Sequence, residues 1–385
     1  GPINFFEPII KHIMDTAPFQ RLRYLKQLGS APLVYPGATH SRFEHCLGVA
    51  HRAEELCRNL RREQPGLGIT HKDVLCVKIA GLCHDLGHGP FSHLFENFLR
   101  RVAAGMDDTN PVKQQLMDWT HEAMSVKMFD HILEIIKGKG IDCTAPENGG
   151  LMDQDIVFIK ELVLGAPPDP NNKKGFARRT GRPADKAFLY DIVCNLDSGF
   201  DVDKLDYLQR DPQHALGDVS KSVERITSLA RVCKVACPEG ERRSYHAPDR
   251  DGYRRTICLP KKSVDDAMGV FGMRRHMHSV VYQHRVVMSG DEAVTRILAL
   301  ANDVVGICGD VGSESTLSIA ESALDVHAFT NLTDGVLDVI SNWPVAFVRS
   351  EEARERLVQA KKAIRDGRCV VGHFVDGLRM DGGAA

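Results

Sequence analysis

Apolar residues recur at helical spacing along most of the chain. Between residues 8 and 29 they lie three or four positions apart, with a break at Pro18 and a stop at Gly29, which is typical of amphipathic α-helices. Strand patterns are sparse, and a short hairpin is expected only near Tyr253–Leu259. The sequence therefore predicts an all-α fold with a minor β element. Further helices are predicted over residues 41–62, 70–84, 92–101, 120–136, 152–164, 188–197, 203–210, 220–235, 263–287, 291–305, 318–324, 329–341 and 351–366.

Two polar segments interrupt the helical pattern. Gly138–Gly150 and Gly165–Lys186 are rich in Gly, Pro, Asn and Lys, a composition typical of exposed loops. The rest of the chain carries enough apolar residues for a large core, at 43% hydrophobic and 26% charged over 385 residues.

Net charge and hydropathy narrow the function classes. The formal net charge is -2, so no global basic field would draw the protein onto nucleic acid or an acidic membrane. Apolar runs stay below the roughly 18 residues that a membrane-spanning helix needs. The eleven cysteines include no CxxC pair, which favours free thiols in a reducing compartment. We expect an intracellular protein, in the nucleus or the cytosol, with no membrane partner.

Histidines are concentrated where one helix must end. His84, His88 and His93 lie within ten residues that also contain Gly87 and Gly89. Imidazole nitrogen together with the carboxylate of the adjacent Asp85 suits a divalent metal ion. The alternative is a set of core and surface histidines without a ligand role.

A catalytic metal needs more protein ligands than one His-Asp pair supplies. His45, early in one predicted helix, and Asp203, at the start of another, complete the order His … His-Asp … Asp. Asp201 and Asp206 flank Asp203, and we interpret both as helix caps or surface acids. The sequence thus predicts a metal site at His45, His84, Asp85 and Asp203.

The same order is similar to the signature of the HD superfamily, and longer blocks extend the likeness. The chain resembles the eukaryotic deoxynucleoside triphosphate (dNTP) triphosphohydrolases that join a sterile-alpha-motif domain to an HD domain, over residues 8–365 with gaps. The blocks that carry the resemblance are Gln20–Gly29, Tyr35–Ala38, Ser41–His45, Ala80–His93, Trp119–Glu122, Gly199–Lys204 and Tyr282–His284.

The resemblance implies a domain organisation and an activity. An HD phosphohydrolase domain is expected over residues 1–310, and a truncated C-terminal helical segment that packs on it over residues 311–385; no counterpart of the sterile-alpha-motif domain is expected. Family members release deoxynucleoside and inorganic triphosphate with the help of one or more divalent ions. Fe, Mn, Zn and Mg all remain open, because a His/Asp set accepts each of them.

Residue roles follow from the same resemblance. His93 matches the family's general acid, and Glu96, which stands where the family has Asp, is expected to orient or charge it. His88 and His121 match further active-site histidines that contact phosphate. The residues that match substrate-binding positions are Gln27, Leu28, Arg42, Lys204, Tyr207, Asp211, Arg274 and Tyr282. From spacing alone, Arg42 could instead be a solvated helix cation, and the two tyrosines could be core residues.

The resemblance also implies regulation by bound nucleotides. Family members bind GTP or dNTP activators between subunits and assemble a tetramer, so a homo-oligomer, dimer or tetramer, is expected. The residues that match activator-binding positions are Asp15, Gln20, Arg23, Arg231, Lys262, His284 and Arg285; plain surface charge is the alternative for Arg231 and Lys262. Because Pro260 replaces a family arginine and the preceding basic segment is not in the sequence, we expect intact catalytic residues with impaired or altered assembly.

Two other functions remain open on the sequence. The chain could be another HD phosphohydrolase, acting on a nucleoside monophosphate, a cyclic nucleotide or a guanosine polyphosphate. It could also be a nucleotide-responsive scaffold that binds single-stranded nucleic acid, although a nonspecific binder of this kind needs a basic groove.

Overall fold

The computed structural model describes residues 3–165, 179–218, 223–236, 252–309 and 316–377, with side chains described as far as residue 366. Part of the predicted loop at 165–186 and the predicted domain boundary at 310/311 lie outside these residues. The boundary therefore stays a prediction.

The described chain is mainly helical, which confirms the predicted all-α class. The α-helices are α1 Pro8–Met14, α2 Ala17–Gln20, α3 Arg42–Glu63, α4 His71–Cys83, α5 His93–Ala104, α6 Pro111–Met117, α7 His121–Gly138, α8 Asp153–Leu164, α9 Val202–Leu216, α10 Glu224–Leu229, α11 Val264–Met277, α12 Arg285–Ala301, α13 Val326–Thr330, α14 Val336–Asn342 and α15 Glu351–Gly377.

Two small antiparallel sheets form the minor β element. Strand β1 (Arg231–Ala236) pairs with β2 (Tyr253–Cys258), with Arg231 opposite Cys258. Strand β3 (Ile307–Cys308) pairs with β4 (Thr316–Leu317). The predicted hairpin near residue 253 is therefore wrong in detail, because that segment is one strand whose partner lies earlier in the chain.

Several predicted helices are shorter or of another type. The helix predicted over 220–235 gives way to β1 after Leu229, because residues 231–236 pair with β2. Residues 184–191 and 321–324 are 3₁₀ turns. The helix predicted over 263–287 divides at a π-helical turn, His278–Tyr282, and helix α6 was missed.

The core is built around α3 and α4, which pack along each other and against α9 and α8 respectively. Large side chains from several helices, including Phe19, Phe98, Phe129 and Phe158, are fully buried in it. Residues 316–366 contact this core: Trp119 Nε1 donates to Ala323 O at 2.9 Å, and α15 packs on α12. Within the described part of the chain, no helix combines the length and the apolar character needed to cross a bilayer.

Candidate active site

Three helix ends converge at the centre of the core. Helix α3 begins after Ser41, which forms a capping box with Glu44 and confirms the predicted N-cap. This places His45 in the first turns of the helix. Helix α4 ends at Cys83, so His84 and Asp85 leave it where both can turn towards one point. Asp203 lies in the first turn of α9, which packs on α3.

The structure brings the four predicted metal ligands together. His45 Nε2 lies 3.0 Å from Asp203 Oδ1 and 3.6 Å from Asp85 Oδ2. His84 Nε2 lies 3.4 Å from Asp85 Oδ1 and 3.5 Å from Asp203 Oδ1. Two imidazole nitrogens and two carboxylates therefore face one small volume.

The outward nitrogens of both imidazoles are already bonded. His45 Nδ1 lies 2.9 Å from Asp206 Oδ2, and His84 Nδ1 lies 2.9 Å from Gly81 O. These bonds leave each Nε2 lone pair directed inward, as in metal sites where a second contact fixes the histidine tautomer. The interpretation of Asp206 as a cap or surface acid was wrong, because it is buried beneath His45. For Asp201 it is confirmed, since its side chain caps α9.

The electrostatics of the cluster favour a cation. Burial lowers the pKa of His45, but Asp203 and Asp206 outweigh it and raise that pKa to about 10. The carboxylates that would hold a proton there would equally hold a divalent ion. His84 Nε2 is buried and has no hydrogen-bond partner among the described residues. His45, His84 and Asp85 place ligand atoms within 4.8 Å of one another, so the residues present fit a bound metal.

Arg42 connects the cluster to the neighbouring turn. It is 2% exposed, donates from Nε to Ser92 Oγ at 2.9 Å and forms an ion pair with Asp85. Burial raises the pKa of Asp85, but Arg42 and the nearby histidines hold it well below its usual range. A solvated helix cation, the alternative for Arg42, does not fit this burial.

A second histidine group lies beside the first. The rings of His88 and His121 are stacked with centroids 4.0 Å apart, and His93 meets both edge-on. These three residues could also be considered as metal ligands. Their ligand atoms lie within 4.8 Å of one another, so this group is a second candidate metal group beside the first.

Glu96 contacts a different histidine from the expected one. Its Oε1 lies 2.6 Å from His121 Nδ1, and its Oε2 accepts from Arg100 at 2.9 Å. Of the expectation that Glu96 orients or charges His93, the first part is corrected, because its hydrogen bond goes to His121. The second part agrees with the electrostatics, because the charge of Glu96 raises the pKa of His93. Burial, followed by the charge of Arg42, lowers the pKa of His93 to about 4 and holds the pKa of His88 well below its usual range.

A close backbone approach joins the two histidine groups. A Cβ on Gly87 would lie 2.1 Å from His121 O and 2.3 Å from Ser125 N. Ser125 Oγ receives the Gly87 N–H at 2.8 Å and donates to His84 O at 2.7 Å. Only glycine lets the loop after His84 and Asp85 lie this close to α7.

An aromatic wall closes the other side. Tyr282 donates to Asp211 Oδ2 at 2.7 Å, and His40 Nε2 lies 2.8 Å from Asp211 Oδ1. Tyr207 meets Tyr282 edge-on at 6.3 Å. Burial and the nearby charge of Asp203 raise the pKa of Tyr207 to about 12, so both tyrosines present neutral hydroxyls. His40 was not singled out from the sequence.

All the predicted substrate residues line one cavity of about 430 Å³. The cavity is also lined by Asp85 and Asp203 and by all three histidines of the second group. Its volume is in the range of small-molecule sites. Gln27 contributes a buried Oε1 atom that has no hydrogen-bond partner among the described residues.

The predicted activator residues do not line this cavity. Gln20 donates to Met14 O and accepts from Arg23, whose guanidinium lies over Phe43. Arg231 pairs with Glu63 at 2.8 Å. His284 caps α12, and Asp15, Lys262 and Arg285 are exposed.

Comparisons with known proteins find an HD-domain match and similarity to triphosphohydrolases. Residues 42–139 match the family model of the HD domain, a span that contains His45, His84 and Asp85. The deoxynucleoside triphosphate triphosphohydrolases SAMHD1 of Bos taurus and Homo sapiens are each 40% identical over 86% of this chain, covering 51% and 47% of their own lengths. A SAMHD1 homolog of Dictyostelium discoideum is 31% identical over 85% of this chain and 51% of its own. The chain thus spans about half the length of these relatives.

Proposed function

Because this chain contains an HD domain, we propose that it is a metal-dependent phosphohydrolase that converts deoxynucleoside triphosphates to deoxynucleoside and inorganic triphosphate. The observation that carries the proposal is the shared cavity. Its lining combines the two aspartates of the His/Asp cluster, three cationic side chains and an aromatic wall. The 40% identity to triphosphohydrolases over most of the chain supports the same reaction.

His45, His84, Asp85 and Asp203 would hold the metal. A bound divalent ion supplies Lewis acidity and makes water a better nucleophile near neutral pH. Asp206 and the Gly81 carbonyl orient the two imidazoles towards it. The donor set accepts Fe, Mn, Zn or Mg, and we leave the choice among them to metal analysis.

Cationic side chains would bind the triphosphate. Lys204 and Arg274 line the cavity near Arg42, and guanidinium and ammonium donors are what phosphoryl oxygens require. Asp201 holds Lys204 through a 2.7 Å ion pair, which fixes the ammonium at the mouth of the metal cluster. His88 and His121 add imidazole contacts within the same cavity.

His93 is proposed as the acid that protonates the departing 5′ oxygen. Its pKa of about 4 in the free protein means that it meets the substrate as a neutral imidazole. The charge of a bound triphosphate opposes the depressing effect of Arg42 and favours protonation of His93. Glu96 acts on this site through His121, to which it is bonded.

The aromatic wall would select the sugar. Asp211 is held by both Tyr282 and His40, so its free lone pairs face the cavity as acceptors for a sugar hydroxyl. The ring of Tyr282, with Gln27 and Leu28 opposite, leaves little room beneath the sugar. A ribose 2′-hydroxyl would be excluded by contact and by loss of hydration.

Activation and assembly belong to the same proposal. The SAMHD1 relatives are named triphosphohydrolases, and the family resemblance adds GTP or dNTP activators bound between subunits of a homo-oligomer. Four of the predicted activator residues are exposed and therefore available to such a ligand: Asp15, Arg23, Lys262 and Arg285. Sedimentation with and without GTP plus dATP tests this: full tetramerisation would overturn the expectation of impaired assembly.

A product assay tests the reaction. Purified protein is incubated with dGTP and Mn²⁺ or Mg²⁺, with and without GTP, and the products are separated by anion exchange. Deoxyguanosine plus inorganic triphosphate is expected, lost in His84→Ala and Asp203→Ala and kept in Glu55→Gln, a half-exposed control on α3. Release of phosphate or pyrophosphate would assign another HD phosphohydrolase, and no turnover under any condition would overturn the proposal.

A further inference from the structure

Asp334, far along the chain from every predicted site residue, joins two walls of the cavity. Its Oδ2 accepts the Lys26 N–H and its Oδ1 accepts the Phe91 N–H, each at 2.7 Å. Its own N–H donates to Tyr24 O at 3.3 Å. Lys26 directly precedes Gln27 and Leu28, and Phe91 lies two residues before His93.

The turn that Asp334 holds is strained. Phe91 and Ser92 have φ of 58° and 62°, a left-handed conformation that is unfavourable for bulky side chains. Such backbone persists only where surrounding contacts over-determine it. Here the contacts are the bond from Phe91 N to Asp334 and the bond from Ser92 Oγ to Lys26 O at 2.7 Å.

The segment of residues 26–29 packs closely against this turn. Gly29 has φ of 54°, and a Cβ there would lie 2.7 Å from Phe91 O. The backbone of residues 26–29 therefore lies directly against the turn, with Asp334 bridging both. This arrangement sets the separation between Gln27 and Leu28 on one side and His93 on the other.

A continuous chain of contacts connects Asp334 to the metal cluster. Asp334 holds Phe91, the adjacent Ser92 receives Arg42 Nε at 2.9 Å, and Arg42 pairs with Asp85. Arg21 reinforces the junction, since it donates to Leu332 O and to His88 O, each at 2.8 Å. A shift at residue 334 would therefore be transmitted to Arg42 and His93 together.

We propose that Asp334 is a positioning residue of the active site, which fixes the turn before His93 against the loop that carries Gln27 and Leu28. The inference rests on the proposed function and deepens it. A carboxylate suits this position because it offers an acceptor oxygen to each N–H. An asparagine would turn its own NH₂ towards one of the two donors, so the bridge would break at one end without a change in side-chain size.

The test compares Asp334→Asn with Asp325→Asn. Asp325 lies in the same part of the chain and caps α13 by accepting the Ala328 N–H at 2.8 Å. Because the amide oxygen of Asn can still accept that N–H, Asp325→Asn makes the same carboxylate-to-amide change without touching the cavity. We expect kcat for dGTP to fall about 10- to 100-fold in Asp334→Asn, as for small misplacements of catalytic groups, with KM changed less and metal content kept. Asp325→Asn should keep wild-type kcat.

Amide hydrogen exchange supplies a second measurement that does not depend on turnover. Peptides covering residues 24–30 and 88–95 should exchange faster in Asp334→Asn than in wild type, and at the wild-type rate in Asp325→Asn. Three outcomes would overturn this inference while leaving the proposed function intact. They are wild-type kcat in Asp334→Asn, an equal loss of kcat in both variants, and unchanged hydrogen exchange. Failure of the wild-type protein to release triphosphate would instead overturn the proposed function and this inference with it.

Discussion

The phenol of Tyr282 donates a 2.7 Å hydrogen bond to Asp211 Oδ2, while His40 Nε2 lies 2.8 Å from the other oxygen of the same carboxylate. The bond fixes the tyrosine ring across the cavity and the carboxylate beside it. The ring and the hydroxyl of Tyr282 thus have separable roles, one steric and one in hydrogen bonding.

Two substitutions at Tyr282 separate these roles. Tyr282→Phe keeps the ring and removes the bond to Asp211, which costs about 1–3 kcal/mol for a buried partner. We expect KM for dGTP to rise about five- to hundredfold while GTP is still rejected as a substrate. Tyr282→Ala should in addition allow GTP hydrolysis. Equal rejection of GTP by both variants, measured as kcat/KM ratios, would show that the ring does not select the sugar.

Asp206 should control metal affinity without being a ligand. It holds His45 Nδ1 at 2.9 Å, and loss of such an outer contact typically weakens metal binding about 10- to 100-fold. We expect Asp206→Asn to lower the bound metal at limiting Mn²⁺, measured by elemental analysis, and excess Mn²⁺ to restore activity. Glu55→Gln, on the helix that carries His45, is the control. Metal affinity equal to that of wild type would contradict the inward orientation assigned to His45.

Glu96 should be coupled energetically to His121 rather than to His93. The Glu96 Oε1 to His121 Nδ1 distance is 2.6 Å, and residues in direct contact show coupling energies of about 0.5–3 kcal/mol. Double-mutant cycles on kcat/KM, pairing Glu96→Gln with His121→Asn and separately with His93→Asn, measure this. Stronger coupling in the His93 cycle would restore the role first expected from the sequence.

The ionisation of Asp334 should make the stability of the folded protein depend on pH. Burial raises its pKa to about 6 despite the two N–H bonds and Arg21, so between pH 4 and 6 the folded state holds a proton that the unfolded state has lost. Stability from this group is therefore full below about pH 4 and is lost as pH rises through about 6. Because Asn does not titrate, the difference in Tm between wild type and Asp334→Asn should favour wild type more at pH 5 than at pH 7.

Other titrating groups cancel in that comparison, since both proteins share them. A wild-type advantage that grows from pH 5 to pH 7 would mean that the N–H donors depress the pKa of Asp334 below its unfolded value. Differential scanning fluorimetry at matched ionic strength is sufficient for this measurement.

The sequence predicted the helical class, which the structure confirms. It also predicted the candidate metal ligands and the substrate residues that line the cavity. These follow from short-range features: apolar spacing for α3 and α4, a His-Asp pair at a helix end, and motif blocks around His45 and Asp203. Each of these predictions depends on residues that are close together in the chain or on a sequence motif. The structure brought all four ligands together without a change to that list.

The polar groups that support the site could not be predicted from local sequence. Asp206 supports His45 across 161 positions, and Asp334 reaches Lys26 across 308. Glu96 bonded to a histidine 25 residues away instead of the one three residues before it. Strand β1 is likewise defined by its pairing with β2, which lies further along the chain. Hydrogen bonds of this kind depend on packing between distant segments, which local periodicity does not encode.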